Sequence, residues 1–401
     1  MTALYLYDDA TARTFEPFAL TRPISELRAG MLLIRDRWEH AIGLAAAGAV
    51  VAPHLVEFEE ADAPPGVIGA IPAGAVLANS RCVVPARWSA RDADVWVCGG
   101  RVAAVRLGAD LGFDEVAGGE TPLESVGAAG TRVVEVPGRW LNEVWSLIVD
   151  LTAQLQDDIA RVGPELECAV LPAGALLGGH PVYLERGATV EPMVCLDATA
   201  GPILVRRGAT IRAFTRLVGP CAIASDALVT GGRVGGCSIG EMSVVCGEIS
   251  ETVILGHANK AHDGFVGHSY LGRWVNLGAG TITSNLKNTY GTVQLWTPRG
   301  VRDSGTIKLG TLFGDHVKAG IGLRLTTGSV IGAGSNVYGA DMPPKYVPPF
   351  SWGEGRALGA YDVEKFLITT RRAMSRRGMM LSDRGARLLR AAHARARDSS
   401  A

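Results

Sequence analysis

The sequence predicts an α/β layer domain, then a triangular parallel β-solenoid, then a helical tail. Aliphatic residues recur every six positions across most of residues 168–340, and the chain contains 51 glycines. A six-residue period is typical of a solenoid in which each unit forms one flat face and small residues permit the tight corners. Before residue 160, strand-like and helix-like segments alternate, which indicates an α/β layer.

The α/β domain is predicted over residues 1–160. ALYLYD is a short apolar strand, ISELRAGMLLIRDRWEHAIG (residues 24–43) is helix-like, and both GAVLANSRCVVP and ADVWVCGGRVAAVRLG have the composition of further strands. Apolar residues at helical spacing across residues 139–160 predict a linker helix that ends this domain.

The solenoid is predicted over residues 165–340, with 285–306 as an insertion and 341–401 as a Pro-rich link followed by one or two helices. Its inward-facing side chains should stack from coil to coil. Two registers of residues six apart support this prediction: Val205, Ile211, Leu217, Ile223 and Val229; then Ile307, Phe313, Ala319, Leu325, Ile331 and Val337.

Composition excludes several classes of function. The net charge is −1 and basic residues concentrate only in the C-terminal tail, which argues against nucleic acid as a partner. No run of 18 apolar residues predicts a membrane span. Seven cysteines without CxxC spacing, and no evident signal peptide, predict free thiols in a cytoplasmic protein.

The segment 259–285 combines turn residues with chemically active ones. His262 is a candidate general base, because an imidazole near neutral pH can accept a proton from an attacking amine. Asn276 and Asn285 can hold a polar acceptor, Arg233 or Lys260 can bind a phosphate, and backbone N–H groups of NLGAGT can polarise a thioester carbonyl. The alternative is a solenoid edge with a corner histidine, a surface lysine and corner asparagines.

NKAHDGFVGHSYLGRWVNLGAGTITSN resembles the acetyltransferase core of the bifunctional N-acetylglucosamine-1-phosphate uridyltransferase/glucosamine-1-phosphate acetyltransferase family. His262, Phe265 and Gly267, followed by VNLGAGTITSN, match the family pattern in order. The resemblance implies a left-handed β-helix and His262 as the catalytic base. It also implies acetyl-CoA as co-substrate, an amino sugar phosphate as acceptor, and a homotrimer with acyl sites between subunits.

Two positions depart from the family pattern. Phe265, also in the implied substrate site, stands where the family has a tyrosine, and Glu251 is the nearest equivalent of a family lysine. Both departures touch the acceptor site, so a different sugar phosphate or acyl acceptor is compatible with the pattern. The remaining implied roles are a phosphate contact, acceptor contacts and an acetyl-CoA groove: Arg233; Asn276 and Asn285; Ala279 and Ala333.

The N-terminal region resembles sugar nucleotidyltransferases that carry this β-helix. The resemblance implies that a nucleoside triphosphate and a sugar-1-phosphate form a nucleotide sugar with Mg²⁺. The usual GxGTRM loop is missing; in its place, Arg22, Arg28 and Gly30 of TRPISELRAG are candidates for a phosphate cradle. Asp8 and Asp9, after the first strand, are candidate metal ligands. The alternative for TRPISELRAG is a turn followed by a capped helix, with Arg22 and Arg28 on the surface and no ligand.

Two other classes use the same solenoid. A metalloenzyme resembling hexapeptide-repeat carbonic anhydrases would use His257 and His262, with His268 or Asp263 as a further ligand. A non-catalytic solenoid would only carry or regulate a partner, and it would not bind acetyl-CoA. The pattern leaves the sugar, the nucleobase and the acyl group open.

Overall fold

The computed structural model describes residues 3–398. The chain divides into two compact units, Met1–Val144 with Leu381–Ala401, and Trp145–Met380. The divisions therefore lie elsewhere than the predicted boundaries at residues 160 and 340. The described residues form six α-helices: α1 (Ile34–Ile42), α2 (Phe113–Val116), α3 (Ser146–Val149), α4 (Leu151–Val162), α5 (Val363–Ser375) and α6 (Asp383–Asp398).

The first unit contains a six-stranded sheet in the order β4-β1-β5-β8-β7-β9. Strand β1 pairs in parallel with β4 and β5, so the carboxyl ends of β1 and β5 lie at the same edge. The strands of this unit are β1 (Leu4–Tyr7), β2 (Arg28–Ala29), β3 (Leu32–Leu33), β4 (Ala46–Val50), β5 (Val76–Asn79), β6 (Cys82–Val83), β7 (Val95–Cys98), β8 (Arg101–Arg106), β9 (Val133–Glu135) and β10 (Arg139–Trp140).

The helix predicted over residues 24–43 is wrong in its first half. Residues 24–26 form a 3-10 helix, β2 and β3 pair as a hairpin, and only α1 is α-helical. Gly30 lies in the hairpin turn with φ of 68°, a left-handed conformation that glycine adopts at little cost. Arg28 Nη1 donates to the Met31 carbonyl across this turn. The predicted linker segment contains β10, α3 and α4 rather than one helix.

The second unit is a parallel solenoid with three faces. Face A contains residues 228–229 and 244–245 and the strands Thr189–Val190, Thr210–Ile211, Asn259–Lys260, Asn276–Leu277, Lys318–Ala319, Asn336–Tyr338 and Ser351–Glu354. Face B contains residues 232–235 and 247–250 and the strands Leu176–Gly178, Cys195–Ala198, Thr215–Val218, Phe265–Gly267, Ile282–Thr283 and Arg324–Leu325. Face C contains Val182–Leu184, Ile203–Val205, Cys221–Ile223, Ser238–Ile239, Val253–Ile254, Tyr270–Leu271, Leu312–Phe313, Val330–Ile331 and Tyr346–Val347.

The chain runs from face A to B to C and back to A, so we name the turns the A–B, B–C and C–A corners. This arrangement confirms the predicted order of an α/β unit, a parallel solenoid and C-terminal helices. The predicted insertion contains an antiparallel hairpin, Gln294–Thr297 with Gly300–Asp303. Within residues 3–398, no helix combines the length and the apolar character needed to span a bilayer.

The solenoid core is a stack of inward-facing aliphatic side chains. All five residues of the first predicted register are fully buried, and burying each such side chain contributes about 1.5–3 kcal/mol. In the second register, the prediction for Ile307 is wrong. This residue is 50% exposed and lies after the inserted hairpin, before the coil resumes at Leu312–Phe313. One inward position is unusual: Lys260 pairs in register with Val245, a core residue.

Candidate active sites

His262 lies exposed in the A–B corner, between a strand of face A and a strand of face B. Two hydrogen-bond donors hold the backbone of this turn. The Lys260 Nζ donates to the His262 carbonyl and, at 3.1 Å, to the Cys246 carbonyl. The Gly280 N–H of the next coil donates to the Asp263 carbonyl at 3.0 Å. The imidazole is therefore carried on a fixed backbone at the surface.

Lys260 supports this corner from inside the solenoid and does not bind phosphate. Its side chain is buried, with 1% of the residue exposed, and burial lowers its pKa. The prediction of a phosphate contact for Lys260 is wrong because its register position points into the core. The period of six did not reveal that position, because Lys260 follows its register partner Val245 by 15 residues, which is not a multiple of six.

The neighbouring NLGAGT corner offers fewer donors than expected. The Gly278 N–H donates to the Ala319 carbonyl at 2.9 Å, and the Gly280 N–H is used on Asp263. Ala279 is exposed, and its N–H has no hydrogen-bond partner among residues 3–398. One backbone donor therefore remains at this corner to polarise a carbonyl group.

The B–C corner links three side chains from successive coils. Asn285 Nδ2 donates to His268 Nδ1 at 2.8 Å, which leaves His268 Nε2 to donate to Glu251 Oε2 at 3.1 Å. The bond from His268 is the largest cause of the lowered pKa of Glu251. A Cβ on Gly267 would lie 2.4 Å from Phe265 Cζ and 2.8 Å from Asn285 Nδ2, so these two predicted acceptor contacts are adjacent. The sequence did not predict this series of hydrogen bonds.

The other predicted site residues lie elsewhere. Arg233 is exposed on face B, in register with Arg216 and Glu248 of the adjoining coils. Asn276 lies on face A, where its Oδ1 accepts from Asn259 Nδ2 at 2.9 Å. Ala333 is fully buried at the C–A corner, so the prediction that it lines an acetyl-CoA groove is wrong.

The histidines do not converge on a metal. His257 lies at the C–A corner, where its Nδ1 is 2.9 Å from Arg273 Nη1; His262 lies at the A–B corner and His268 at the B–C corner. In residues 3–398, no three His, Cys, Asp or Glu side chains come together as metal ligands. The carbonic anhydrase alternative is contradicted by this separation.

In the first unit, the predicted phosphate cradle is part of the fold. Arg22 is buried and forms a bidentate pair with Glu60, with contacts of 2.7 and 3.1 Å. Arg28 is buried against the Met31 carbonyl, and Gly30 lies in the same turn. These residues were predicted to bind phosphate, but their polar atoms are used inside the unit.

Asp8 and Asp9 do not form a metal site. Asp8 is buried, accepts from the Ile24 N–H at 3.0 Å, and has its pKa raised to about 6 by burial. Asp9 pairs with Arg81 at 2.6 Å and accepts from Asn79 Nδ2 at 2.9 Å. The Asp8 Oδ2 and both Asp9 oxygens are therefore used by protein groups, and a Mg²⁺ ion does not fit here.

A cavity of about 210 Å³ opens beside Asp9 at the carboxyl ends of β1 and β5. Ligands of open α/β sheets bind at such an edge. The Arg101 guanidinium lies 3.9 Å from the centroid of the Trp140 ring. The lining residues are Tyr7, Asp9, Ala10, Thr11, Asn79, Arg101, Val102, Gly119, Glu120, Thr121, Pro122, Leu123, Glu124 and Trp140. Of these residues only Asp9 was a candidate from the sequence, which placed it at the end of the first strand.

Residues 4–164 match the model of a family described as sugar nucleotidyl transferase. A bifunctional sugar-1-phosphate nucleotidylyltransferase/acetyltransferase of Sulfurisphaera tokodaii is 37% identical over 92 residues, which are 23% of this chain and 23% of that protein. A bifunctional protein GlmU of Jannaschia sp. (strain CCS1) is 24% identical over 277 residues, 65% of this chain and 55% of that protein. The resemblance inferred from the sequence is confirmed at this modest identity.

The chain spans only 23% and 55% of the length of these two relatives. Among solved structures, a variant of AntD, an N-acyltransferase from Bacillus cereus in complex with dTDP-4-amino-4,6-dideoxyglucose and Coenzyme A, is 14% identical. The match covers 51% of this chain and 91% of that chain, with a TM-score of 0.22.

Proposed function

We propose that this chain is a bifunctional enzyme that transfers a nucleotidyl group and an acyl group to sugar phosphates. One observation carries the proposal: a region that matches sugar nucleotidyl transferases is joined to a solenoid that presents His262 on a fixed, exposed corner. The substrates are a nucleoside triphosphate, a sugar-1-phosphate with an amino group, and acetyl-CoA. We place the protein in the cytoplasm, in agreement with its free cysteines.

In the acyl transfer, His262 takes a proton from the amino group as its nitrogen attacks the thioester carbonyl carbon. The new C–N bond forms, the C–S bond breaks, and the coenzyme A thiolate leaves and takes up the proton. The Ala279 N–H lies one coil from His262 and is the backbone group available to the developing oxyanion. Acetyl-CoA enters this reaction as a substrate that leaves as free thiol.

The proposed enzyme is a homotrimer in which a neighbouring copy completes the acyl site. The predicted acceptor contacts are divided between faces, since Arg233 and Phe265 belong to face B and Asn276 to face A. In the proposed trimer, a neighbouring copy brings contacts from the two faces together at one acceptor. Light scattering on the purified protein tests this, and a monomer at the concentrations that support turnover contradicts it.

In the nucleotidyl transfer, a phosphate oxygen of the sugar-1-phosphate attacks the α-phosphorus of the triphosphate. A new P–O bond forms and pyrophosphate leaves. The cavity beside Asn79 and Trp140 is the proposed site, with Arg101 as the cation that binds phosphate. The carboxylates of Asp8 and Asp9 are bonded to protein groups. The predicted Mg²⁺ is therefore proposed only as the counter-ion that arrives with the triphosphate.

Product analysis tests both reactions in one experiment. The protein is incubated with acetyl-CoA, glucosamine-1-phosphate and each common nucleoside triphosphate in turn, and the products are resolved by mass spectrometry. We expect an N-acetylated sugar phosphate and a nucleotide sugar, with Arg101→Gln losing only the second. Acetylated product without any nucleotide sugar contradicts the nucleotidyl half. Neither product, together with no binding of acetyl-CoA, favours the non-catalytic solenoid.

A further inference from the structure

A second cavity of the solenoid unit, of about 460 Å³, lies between face A and the C-terminal end of α5. Its volume is within the range of small-molecule sites. Neither His262 nor Ala279 lines it, whereas Asn276, one of the predicted acceptor contacts, does. The lining residues are His257, Asn259, Trp274, Val275, Asn276, Lys318, Ala373, Arg376 and Arg377.

The Lys and Arg residues that line this cavity give it a positive charge. Lys318, Arg376 and Arg377 line it, and among residues 3–398 no Asp or Glu does. The nearby Glu241 is paired with Arg273 at 2.5 Å. Burial lowers the pKa of Arg377, and the positive charge of Arg376 lowers it further. Burial also lowers the pKa of Lys318 to about 8. The repulsion between Arg376 and Arg377 and the burial of Lys318 both make these positive charges costly, and a bound anion relieves this cost.

The cations are held in place by the fold. Arg377 Nη1 donates to the Met242 carbonyl at 3.0 Å, which anchors the guanidinium at the end of α5. Lys318 Nζ donates to the Trp274 carbonyl and has two further N–H donors. Anchored guanidinium and ammonium groups lose less conformational entropy when a phosphate binds than free surface side chains do.

The rest of the lining suits the organic part of a ligand. Asn276 Oδ1 accepts from Asn259, so the Asn276 Nδ2 has no part in that bond and is a donor for a ligand. The Trp274 ring packs with its centroid 4.5 Å from that of His257 and 6.4 Å from that of His316. The cavity therefore combines cations, an amide donor and an aromatic wall.

We propose that this cavity binds a phosphomonoester. Arg377 and Arg376 bind its oxygens through paired N–H groups, and Lys318 adds a point charge. Two substrates of the proposed function carry such a group, the sugar-1-phosphate and the 3′-phosphate of coenzyme A. Which of them occupies the cavity rests on the proposed function; the binding of a phosphomonoester there does not.

Calorimetric binding to the full chain tests the inference without any turnover. Two ligand pairs are compared on the wild type: coenzyme A against dephospho-coenzyme A, and glucosamine-1-phosphate against glucosamine. We expect one phosphorylated member to bind at least about tenfold more tightly than its partner, as one charge-assisted contact predicts. The pair that shows the difference identifies the source of the phosphate, and inorganic phosphate should compete with that ligand.

Variants then assign the binding to this cavity. Arg377→Gln and, separately, Lys318→Met should each remove most of the difference between the pair, and Arg371→Gln should leave it unchanged. Arg371 is exposed on α5 outside the cavity, so it controls for the loss of one charge from the same helix. Thermal melts identify a variant that fails to fold, in which case the other variant decides.

The outcomes separate this inference from the proposed function. A phosphate-dependent difference that both variants abolish supports the inference even when the protein shows no acyl or nucleotidyl turnover. Equal affinities within both pairs overturn it, and so does a difference that survives Arg377→Gln and Lys318→Met in folded protein.

Discussion

Replacing Lys260 with methionine removes a buried ammonium group and keeps an unbranched side chain of similar length. The Lys260 Nζ serves the carbonyls of Cys246 and His262, and each buried carbonyl left without a partner costs about 1–3 kcal/mol. In the wild type an opposing effect is present: burial of the ammonium group lowers the pKa of Lys260 and costs several kcal/mol of stability. Because the two costs oppose each other, the free energy of unfolding should change by less than about 2 kcal/mol.

The same change should impair acyl transfer far more than stability. Without the Nζ, the backbone that carries His262 loses a fixed position, and misplacement of a reacting group by about 1 Å can cost a hundredfold in rate. We expect thiol release to fall at least about tenfold while the urea midpoint changes little. The control is Lys365→Met, which removes an exposed lysine of α5. An unchanged rate in Lys260→Met, or an equal loss in both variants, refutes the positioning role.

Three further predictions concern groups with perturbed surroundings. His268→Ala frees Asn285 from its partner and should raise the KM for the amino sugar about tenfold in steady-state assays, with the KM for acetyl-CoA unchanged; equal rises contradict it. The pKa of Asp8 in the folded protein is about 6, above its ordinary value of 3.8. The free energy of unfolding of the wild type, relative to Asp8→Asn, should therefore be highest below pH 3.8 and fall by about 3 kcal/mol as the pH rises through 6. Urea unfolding that gives the same pH dependence for both proteins contradicts this. For Lys318 the folded pKa of about 8 is below the ordinary 10.5, so the wild type should gain stability relative to Lys318→Met between pH 8 and 10, and a constant difference contradicts burial of the charge.

The period of six was enough to predict the solenoid, because each inward position must be small or aliphatic to stack on its neighbours. Val205 and Ile223 follow that rule and are fully buried. The same rule failed at Ile307, where the inserted hairpin interrupts the coil. In the first unit, residues 24–33 combined apolar spacing with a glycine turn, and the turn prevented the expected helix.

The site was predictable residue by residue only where a side chain acts alone. His262 lies at an exposed corner, and its role as the base stays a prediction. Lys260 was assigned to the surface because the period of six does not show that its side chain points inward. The hydrogen bonds from Glu251 through His268 to Asn285 join residues of three successive coils, each 17 residues after the last. Such contacts depend on how many residues each coil contains, and a single motif does not reveal that number.

The proposed role of His262 is tested most directly by thiol release from acetyl-CoA with glucosamine-1-phosphate as acceptor. The wild type is compared with His262→Ala and with His180→Ala, which removes an exposed histidine elsewhere on the solenoid. The account predicts release that requires the amino sugar, falls at least a hundredfold in His262→Ala as expected for a lost general base, and is unchanged in His180→Ala. Release that persists in His262→Ala at the wild-type rate would contradict it.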